Sequence, residues 1–202
     1  MSPSIEERFS FMLPLLIVIG VIVLLVLLLG GWFFGMYNGL VRRRIASETA
    51  WSDIDVQLKR RHDLIPNLVN SVKGYASHES GTFEAVTAAR AAATSASGVS
   101  EQAGAESMLT QALGKLMVVA EAYPDLKANT NFLQLQEELT STENKIGFAR
   151  QHYNRTVNTY NEATKVFPSN LIAGMFGFTE KDFFELDESE AAAVKQAPKV
   201  EF

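Results

Sequence analysis

Three polar side chains that could bind a ligand, Arg61, His62 and Asp63, stand next to one another just before Pro66. An interior proline removes a backbone hydrogen bond and can kink a helix, so polar groups at the kink could line a pocket between helices. The other two histidines share no metal-ligand spacing with His62, and the sequence contains no HExxH motif. The sequence therefore predicts no metal centre.

Patterns typical of enzymes are absent from the sequence. Asp53 and Asp55 are two residues apart and face different sides of a helix, so they cannot act as a carboxylate pair. The sequence has no G-x-S-x-G motif, no phosphate-binding glycine loop and no cysteine nucleophile. We therefore predict a protein that is not an enzyme and that binds no cofactor.

The overall composition fits one domain and argues against nucleic acid as a partner. Roughly 165 residues follow the apolar segment described below, which is enough for one hydrophobic core. The formal net charge of −5 gives no basic field that would attract nucleic acid. Because cysteine is absent, disulfides, thiolate metal sites and a lipid anchor on cysteine are excluded.

An uncharged stretch at residues 11–34 dominates the N-terminal part of the chain. About 20 apolar residues in a helix cross a hydrocarbon layer of roughly 30 Å, so this stretch predicts a transmembrane helix. A cleavable signal peptide would have a shorter apolar core, a positively charged start and a cleavage site with small residues. The stretch instead follows Glu6-Glu7-Arg8, and no small-x-small triplet ends it, which favours a retained anchor.

The residues on either side of the span predict its orientation. Cations near a span tend to stay in the cytoplasm, and only Arg8 precedes the span, whereas three arginines follow it. We therefore expect a single-pass protein of the inner (cytoplasmic) membrane, with its N-terminus outside and its C-terminal domain in the cytoplasm. The aromatic and basic residues that flank the membrane anchor on the domain side are Trp32, Tyr37, Arg42, Arg43 and Arg44.

Helical periodicity dominates the rest of the chain. From Trp51 to Tyr75, apolar side chains recur at alternating spacings of three and four residues, which predicts a long helix that bends at Pro66 without breaking. A second seam with coiled-coil spacing runs from Phe132 to Phe167 in a helix expected at residues 125–166. Two shorter helices are expected at residues 77–93, capped by Ser77 or Ser80, and at residues 101–123, capped by Ser100.

These elements predict an all-α fold. Only the two long helices match each other in length, so we expect a transmembrane helix followed by an antiparallel helical bundle of two long and two shorter helices. The predicted divisions are an N-terminal tail at residues 1–10, the span at 11–34, the bundle at 35–178 and a flexible acidic tail at 179–202.

Arg61 interrupts the otherwise apolar seam of the first long helix. Counting along an antiparallel pair of long helices places it opposite Glu143, which predicts an ion pair that fixes the register of the helices. The alternative is that Arg61 binds a ligand or a partner protein.

An apolar segment at residues 167–178 (FPSNLIAGMFGF) follows the second long helix. The same count returns it to the membrane-proximal end of the bundle. It could close the base of the bundle as a hydrophobic cap, or it could lie in the membrane interface or against a neighbouring subunit. The residues that would form this candidate interfacial loop are Leu171, Ile172, Met175, Phe176 and Phe178.

The C-terminus carries two alternating apolar residues, Val200 and Phe202. Such an end could add as a strand to the edge of a partner's sheet or place its carboxylate in a nest of backbone amides. A frayed terminus is the alternative.

Several stretches of the chain resemble the LemA family, a group of bacterial membrane-anchored helical proteins. The most specific is AWSDIDVQLKRRHDLIPNLV at residues 50–69. The others are AEAYPDL at 120–126, NFLQLQEEL at 131–139, FPSNLIAGMFGF at 167–178 and the closing KVEF. The resemblance implies a membrane-anchored helical architecture and no established enzymatic activity.

Together these features predict a scaffold or interaction protein attached to a membrane. The expected partners are the lipid bilayer and other membrane or envelope proteins, and association of the chain with itself is a further expectation. No nucleic acid is expected. The alternative function is a ligand-binding sensor with a pocket near the Pro66 kink.

Overall fold

A computed structural model describes residues 5–185 of the chain. Within this range the chain is helical and contains no strand, so the all-α helical-bundle fold is confirmed. The helices are α1 (Ile5–Lys73), α2 (Ser80–Ser95), α3 (Val99–Glu121), α4 (Pro124–Lys127), α5 (Thr130–Lys165) and α6 (Ser169–Phe176).

The chain divides into two compact units. Of the described residues, unit 1 contains 5–44 and 160–180, and unit 2 contains 45–159 and 181–185. Unit 2 therefore contains α2, α3 and α4 with the central part of the chain, and unit 1 contains α6 with the apolar N-terminal part of α1.

Helix α1 passes through Pro66 and remains one helix of 69 residues. This confirms the expectation, drawn from the unbroken phase of the apolar seam, that the proline would not divide the pattern into two helices. Pro66 has no N–H to donate, so the helix lacks the hydrogen bond to the carbonyl of His62, four residues earlier.

The predicted helix ends were less accurate than the predicted helices. Glu79 precedes α2 and Gly98 precedes α3, and neither supplies a side-chain cap, so the expected serine caps were wrong. Gly98 has a φ of 84°, a conformation that favours glycine. The second long helix begins at Thr130, because α4 forms a separate turn and the side chain of Asn129 accepts hydrogen bonds from the amides of Asn131 and Phe132.

The core of unit 2 has two hydrophobic clusters along α1. In the first, the α1 residues after Arg61 pack with α2, α3 and Phe132 at the start of α5. In the second, the α1 residues before Arg61 pack with later residues of α5, including Tyr153 and Val157. Within unit 2 the two long helices are therefore antiparallel, as predicted. The principal α1 residues are Ile65, Leu68 and Val72 in the first cluster and Ala50, Ile54 and Leu58 in the second.

Residues 181–185, the last that the structure describes, pack into unit 2. Phe184 is 1% exposed, and its ring lies 5.5 Å from that of Trp51. The side chain of Asn154 makes two hydrogen bonds with the backbone of Phe184: its Nδ2 donates to the carbonyl oxygen, and its Oδ1 accepts from the amide. The packed part of the chain thus extends beyond residue 178, where the sequence predicted a flexible tail to begin.

Tyr153 also holds this segment, because its hydroxyl donates a 2.9 Å hydrogen bond to the carbonyl oxygen of Asp182. Burial of the ring, together with the negative charge of Asp182, raises the pKa of Tyr153 to about 12. The hydroxyl therefore remains protonated and able to donate this bond throughout the neutral pH range.

Unit 1 has a small core of its own. Leu40 of α1 packs with Ala163 of α5 and with Ile172 and Ala173 of α6. Helix α6 ends at Gly177, whose φ of 69° is the left-handed conformation typical of a helix C-terminus.

Candidate functional site

Glu106 of α3 is the centre of a buried polar cluster in unit 2. Its side chain is 2% exposed and lies between two basic residues of α1. Its Oε2 accepts a 3.1 Å hydrogen bond from Nη1 of Arg61, and its Oε1 lies 2.7 Å from Nε2 of His62. The buried positive charge of Arg61 is thereby neutralised by a buried carboxylate, the arrangement such charges require.

Two further residues of α3 complete the cluster. Gln102 donates from Nε2 to Oε1 of Glu106 at 2.9 Å, and Thr110 accepts a 2.6 Å hydrogen bond from Nη2 of Arg61. Gln102, Glu106 and Thr110 are four residues apart, so one face of α3 presents all three side chains to α1. We define the buried polar cluster as Arg61, His62, Gln102, Glu106 and Thr110.

Glu106 was not among the predicted site residues, although its position in the sequence indicates that it is buried. Glu106 precedes Leu109 by three residues and Leu113 by seven, so it lies on the inward face of α3. Met108 was also expected on the inward face of this helix, because it lies at apolar spacing with Ala112, but it is 55% exposed and this prediction was wrong. A lone carboxylate at a position of apolar periodicity was the evidence for a buried ion pair.

The structure also brings Arg61 and Glu143 together. Nε of Arg61 lies 3.4 Å from Oε2 of Glu143, whose side chain is 48% exposed. Nε is buried and makes no hydrogen bond, so Glu143 acts on Arg61 through its nearby negative charge. The hydrogen bonds of the Arg61 side chain come from Nη1 and Nη2, and Glu106 and Thr110 accept them. Whether the contact with Glu143 fixes the register of the helices stays a prediction.

Arg90 of α2 compensates for the proline in α1. Its Nε donates a 2.7 Å hydrogen bond to the carbonyl oxygen of His62. In a regular helix the amide of residue 66 would donate to this oxygen, but proline has no N–H. A buried carbonyl without a partner is costly, so Arg90 stabilises the helix at the point where the polar cluster is attached.

This compensation can be tested with a double-mutant cycle. Replacing Arg90 with methionine should lower the free energy of unfolding by about 1–3 kcal/mol, because the carbonyl of His62 loses its donor. In a Pro66→Ala background the same replacement should cost about 1 kcal/mol less, because the amide of residue 66 can then donate instead. Urea unfolding, followed by the fluorescence of Trp51 in a chain with Trp32 replaced by phenylalanine, would measure both. Additive effects of the two substitutions would contradict this account.

Two cavities adjoin the polar cluster. A cavity of about 170 Å³ is lined by Arg61, Glu106, Thr110, Glu143 and Arg150, with apolar walls from neighbouring residues. A more open cavity of about 280 Å³ shares Arg61, Thr110 and Glu143 with it. The side chain of Arg150 makes no hydrogen bond or ion pair with another residue of the described part of the chain. A small polar molecule could therefore bind next to the cluster, in the cavity lined by Arg61 and Arg150.

His62 and the acidic residues do not form a metal site. Among the residues whose side chains are described, no group of three or more His, Asp or Glu side chains could hold a metal ion. Besides His62, the basic neighbour of Glu106 is Arg61, which cannot act as a metal ligand because its guanidinium stays protonated.

The residues that flank the membrane anchor fall into two groups. Trp32 is 52% exposed, and Arg42, Arg43 and Arg44 are exposed as well. Tyr37 instead packs in unit 1, with its ring 4.8 Å from that of Phe176 and 5.7 Å from that of Phe178.

The candidate interfacial loop is largely the helix α6. Ile172 is buried at 3% exposure, whereas Leu171, Met175 and Phe176 are 61%, 70% and 49% exposed. Phe178 is half-buried. The predicted docking residues at the C-terminus, Val200 and Phe202, lie outside the described residues.

The described part of the chain defines an all-α bundle protein that carries a long apolar N-terminal helix and a buried arginine–glutamate–histidine cluster. Residues 50–202 match the model of the LemA family, and the chain belongs to this family. The family indicated by the motifs is therefore confirmed. The matched region contains all residues of the buried polar cluster.

Curated relatives include one protein with the family's name and several magnetosome proteins. Protein LemA of Metamycoplasma hominis is 26% identical over 194 residues, which cover 95% of this chain and 85% of the relative. Magnetosome protein MamQ 2 of Paramagnetospirillum magneticum is 25% identical over 175 residues, which cover 74% of this chain and 64% of the relative. Magnetosome protein MamQ of Magnetospirillum gryphiswaldense is 24% identical over 174 residues, with 73% and 64% covered. This chain thus spans just under two thirds of the magnetosome relatives.

Proposed function

We propose that this protein is a single-pass, membrane-anchored interaction protein that is not an enzyme. The observation that carries the proposal is the uncovered apolar part of α1. An 18-residue window there has a mean hydropathy of 3.0, and none of it is buried against the described protein. Large aliphatic side chains that point outward on every side of a helix are matched by a lipid environment.

The chemistry of the polar cluster supports the non-enzymatic part of the proposal. Both carboxylate oxygens of Glu106 already have partners in Arg61, His62 and Gln102. A general acid or base needs an atom that can reach a substrate. The cluster is better suited to hold α1 and α3 together in one arrangement.

The orientation of the anchor follows from its flanking charges. The exposed Arg42, Arg43 and Arg44 lie beyond the apolar stretch on the domain side, so the domain belongs in the cytoplasm and the membrane is the inner membrane. Reporter fusions at the C-terminus would test this. A reporter that is active only in the cytoplasm should be active, and activity of a reporter that works only outside the cytoplasm would contradict the orientation.

Cross-linking in intact membranes tests the interaction role. The full chain carrying a photoreactive residue in place of Phe148, which is 72% exposed on α5, should give a discrete product with another membrane or envelope protein or with a second copy. The same residue in place of the buried Ile146 is the matched control and should give no such product. If photoreactive residues at Phe148 and at the exposed Val56 and Val118 all yield only the monomer, the proposed interaction role is contradicted.

A second candidate function is supported by the 170 Å³ cavity beside Arg61. Two arginine side chains with donors to spare, Arg61 through its buried Nε and Arg150, line this space. Such donors fit a small oxyanion, either a carboxylate or a phosphate, with Glu143 as the group that must move aside. The protein would then sense a small anionic ligand.

Thermal unfolding of the full chain in detergent would test the sensor function. Inorganic phosphate or acetate should raise the unfolding midpoint more than chloride at equal ionic strength, because a ligand of the folded state stabilises it. Arg150→Gln should abolish this increase, and Arg155→Gln, an exposed position of the same helix, should not. Equal midpoints in all three salts would contradict ligand binding at this cavity.

A further inference from the structure

We propose that α6 lies in the interfacial layer of the membrane, with its outer face inserted at the level where α1 leaves the bilayer. This inference rests on the proposed membrane anchor. It adds a second lipid contact, made by a segment more than 120 residues further along the chain.

The first observation is that α6 has two apolar faces and only one of them is covered. The helix spans SNLIAGMF and contains no charged residue. Ile172 and Ala173 face the core of unit 1 at 3% and 2% exposure. On the other side, Leu171 and Met175 are four residues apart and 61% and 70% exposed. Adjacent to the helix, Phe167 is 74% exposed.

The second observation is the position of α6 along α1. The ring of Phe176 lies 6.0 Å from that of Phe33 and 4.8 Å from that of Tyr37. Phe33 belongs to the last turn of the apolar stretch at residues 11–34, Tyr37 follows it by one turn, and the first charged residue, Arg42, comes five residues after Tyr37. Helix α6 therefore contacts α1 where a membrane-spanning segment would pass from acyl chains into headgroups, a level at which aromatic side chains are enriched.

The third observation is the change from apolar to charged residues on either side of this level. At residues 14–34 of α1, the large exposed side chains are aliphatic and aromatic, including Phe34 at 65%. The ends of the segment that carries α6 are tied instead by an exposed ion pair, in which Nζ of Lys165 lies 2.8 Å from Oε2 of Glu180. An ion pair of this kind is suited to the aqueous side of the interface, and the apolar face of α6 to the lipid side.

The continuity of the uncovered apolar surface identifies lipid as the occupant. The exposed face of α6 adjoins the exposed apolar part of α1 through the aromatic contacts of Phe33 and Tyr37 with Phe176. A bilayer that surrounds α1 at this level meets α6 without any further partner. A single membrane-spanning helix can rotate about its axis. If α6 lies in the interface on one side of α1, this rotation is restricted, and α1 presents a fixed face to its surroundings.

Spin-label accessibility tests the inference directly, because the natural chain has no cysteine. Single cysteines at Leu171, Met175, Leu24 and Phe148 of the full chain would be labelled with a nitroxide and studied in liposomes. Collision with oxygen, which concentrates in the acyl region, would be compared with collision with a water-soluble nickel chelate. Labels at Leu171 and Met175 should favour oxygen over the chelate, as the label at Leu24 does, and the label at Phe148 should show the opposite preference.

The outcomes separate the inference from the proposed function. If the labels at Leu171 and Met175 behave like the label at Phe148 while the label at Leu24 stays in lipid, α6 is in water and the inference is overturned, but the anchor stands. If the label at Leu24 also favours the chelate, the anchor itself fails. Labels at α6 that neither reagent reaches, with spin–spin broadening removed by dilution with unlabelled chain, would show a second copy on this face and would also overturn the inference.

Discussion

Replacing Glu106 with glutamine is expected to lower the free energy of unfolding by about 3–5 kcal/mol, the cost of removing one partner from a buried ion pair. The substitution keeps the size of the side chain but removes the negative charge. Arg61, whose side chain is 3% exposed, would then be left with only the half-exposed Glu143 as a counter-ion. Urea unfolding of the full chain in detergent would measure the loss, followed by the fluorescence of Trp51 in the core of unit 2 with Trp32 replaced by phenylalanine.

Two comparison variants make this prediction specific. Glu143→Gln removes a carboxylate near the same arginine, but from a side chain that is 48% exposed, so it should cost less than about 1 kcal/mol. The double variant Arg61→Met with Glu106→Leu removes both charges together. It should be much more stable than Glu106→Gln alone, because no unpaired charge remains in the core.

The same variants decide what the buried polar cluster is for. If Glu106→Gln unfolds like the wild type, Glu106 does not stabilise the fold through its charge, and the cluster would have to be explained by binding. If the double variant folds but no longer gives the cross-linked products of the wild type, the polar groups specify an arrangement of α1 and α3 that an apolar core does not reproduce.

The long helices were predictable because their evidence is distributed over many residues. The apolar seam of α1 repeats from Trp51 to Val72, and the seam of α5 includes Phe132, Ile146 and Tyr153. A pattern of this length tolerates local exceptions such as Pro66. It also sets the antiparallel pairing in unit 2, which is why simple counting brought Arg61 close to Glu143.

Features that depend on a third element were not predictable in this way. Counting along α1 and α5 says nothing about the rotation of α3, so the main partner of Arg61, Glu106, was missed. The role of Arg90 was also not predicted, because the sequence does not indicate that an arginine on a short helix donates a hydrogen bond to a carbonyl of another helix. Both errors concern contacts between elements that are distant in sequence: periodicity places Glu106 on the inward face of α3, but it does not identify the residue of α1 that Glu106 contacts.

The segment after residue 178 shows a different limit. Its acidic composition is typical of a flexible tail, and this outweighed the aromatic pair Phe183-Phe184. In the structure, Phe184 fills a site made by Trp51 and Tyr153, and Asn154 binds its backbone. Nothing in the sequence around Asn154 or Trp51 indicates that these residues contact Phe184. The segment is held by one buried side chain and hydrogen bonds from Tyr153 and Asn154, which are too few residues to form a pattern in sequence.

Three arginines placed at the centre of the apolar stretch, as Val21→Arg, Ile22→Arg and Leu25→Arg, are expected to release the protein from the membrane. An arginine near the middle of a spanning helix costs about 2.5–3.5 kcal/mol on the insertion scale, so three cost about 8–10 kcal/mol. The native side chains are 50%, 54% and 52% exposed and are not part of a protein core. Carbonate extraction of membranes should therefore leave the wild type in the pellet and move the variant to the supernatant.

The matched control replaces the same positions with aliphatic residues, as Val21→Leu, Ile22→Leu and Leu25→Ile, and should remain in the pellet. With Trp32 replaced by phenylalanine in both proteins, so that Trp51 is the one tryptophan left in the sequence, the fluorescence of Trp51 should be the same in the released variant and in the protein with the unsubstituted stretch, because the substitutions lie in unit 1 and Trp51 packs in the core of unit 2. Retention of the arginine variant in the pellet would mean that α1 is not the anchor. Release with native Trp51 fluorescence would establish that the apolar stretch attaches a separately folded unit to the membrane, because the attachment would then be lost without the fold.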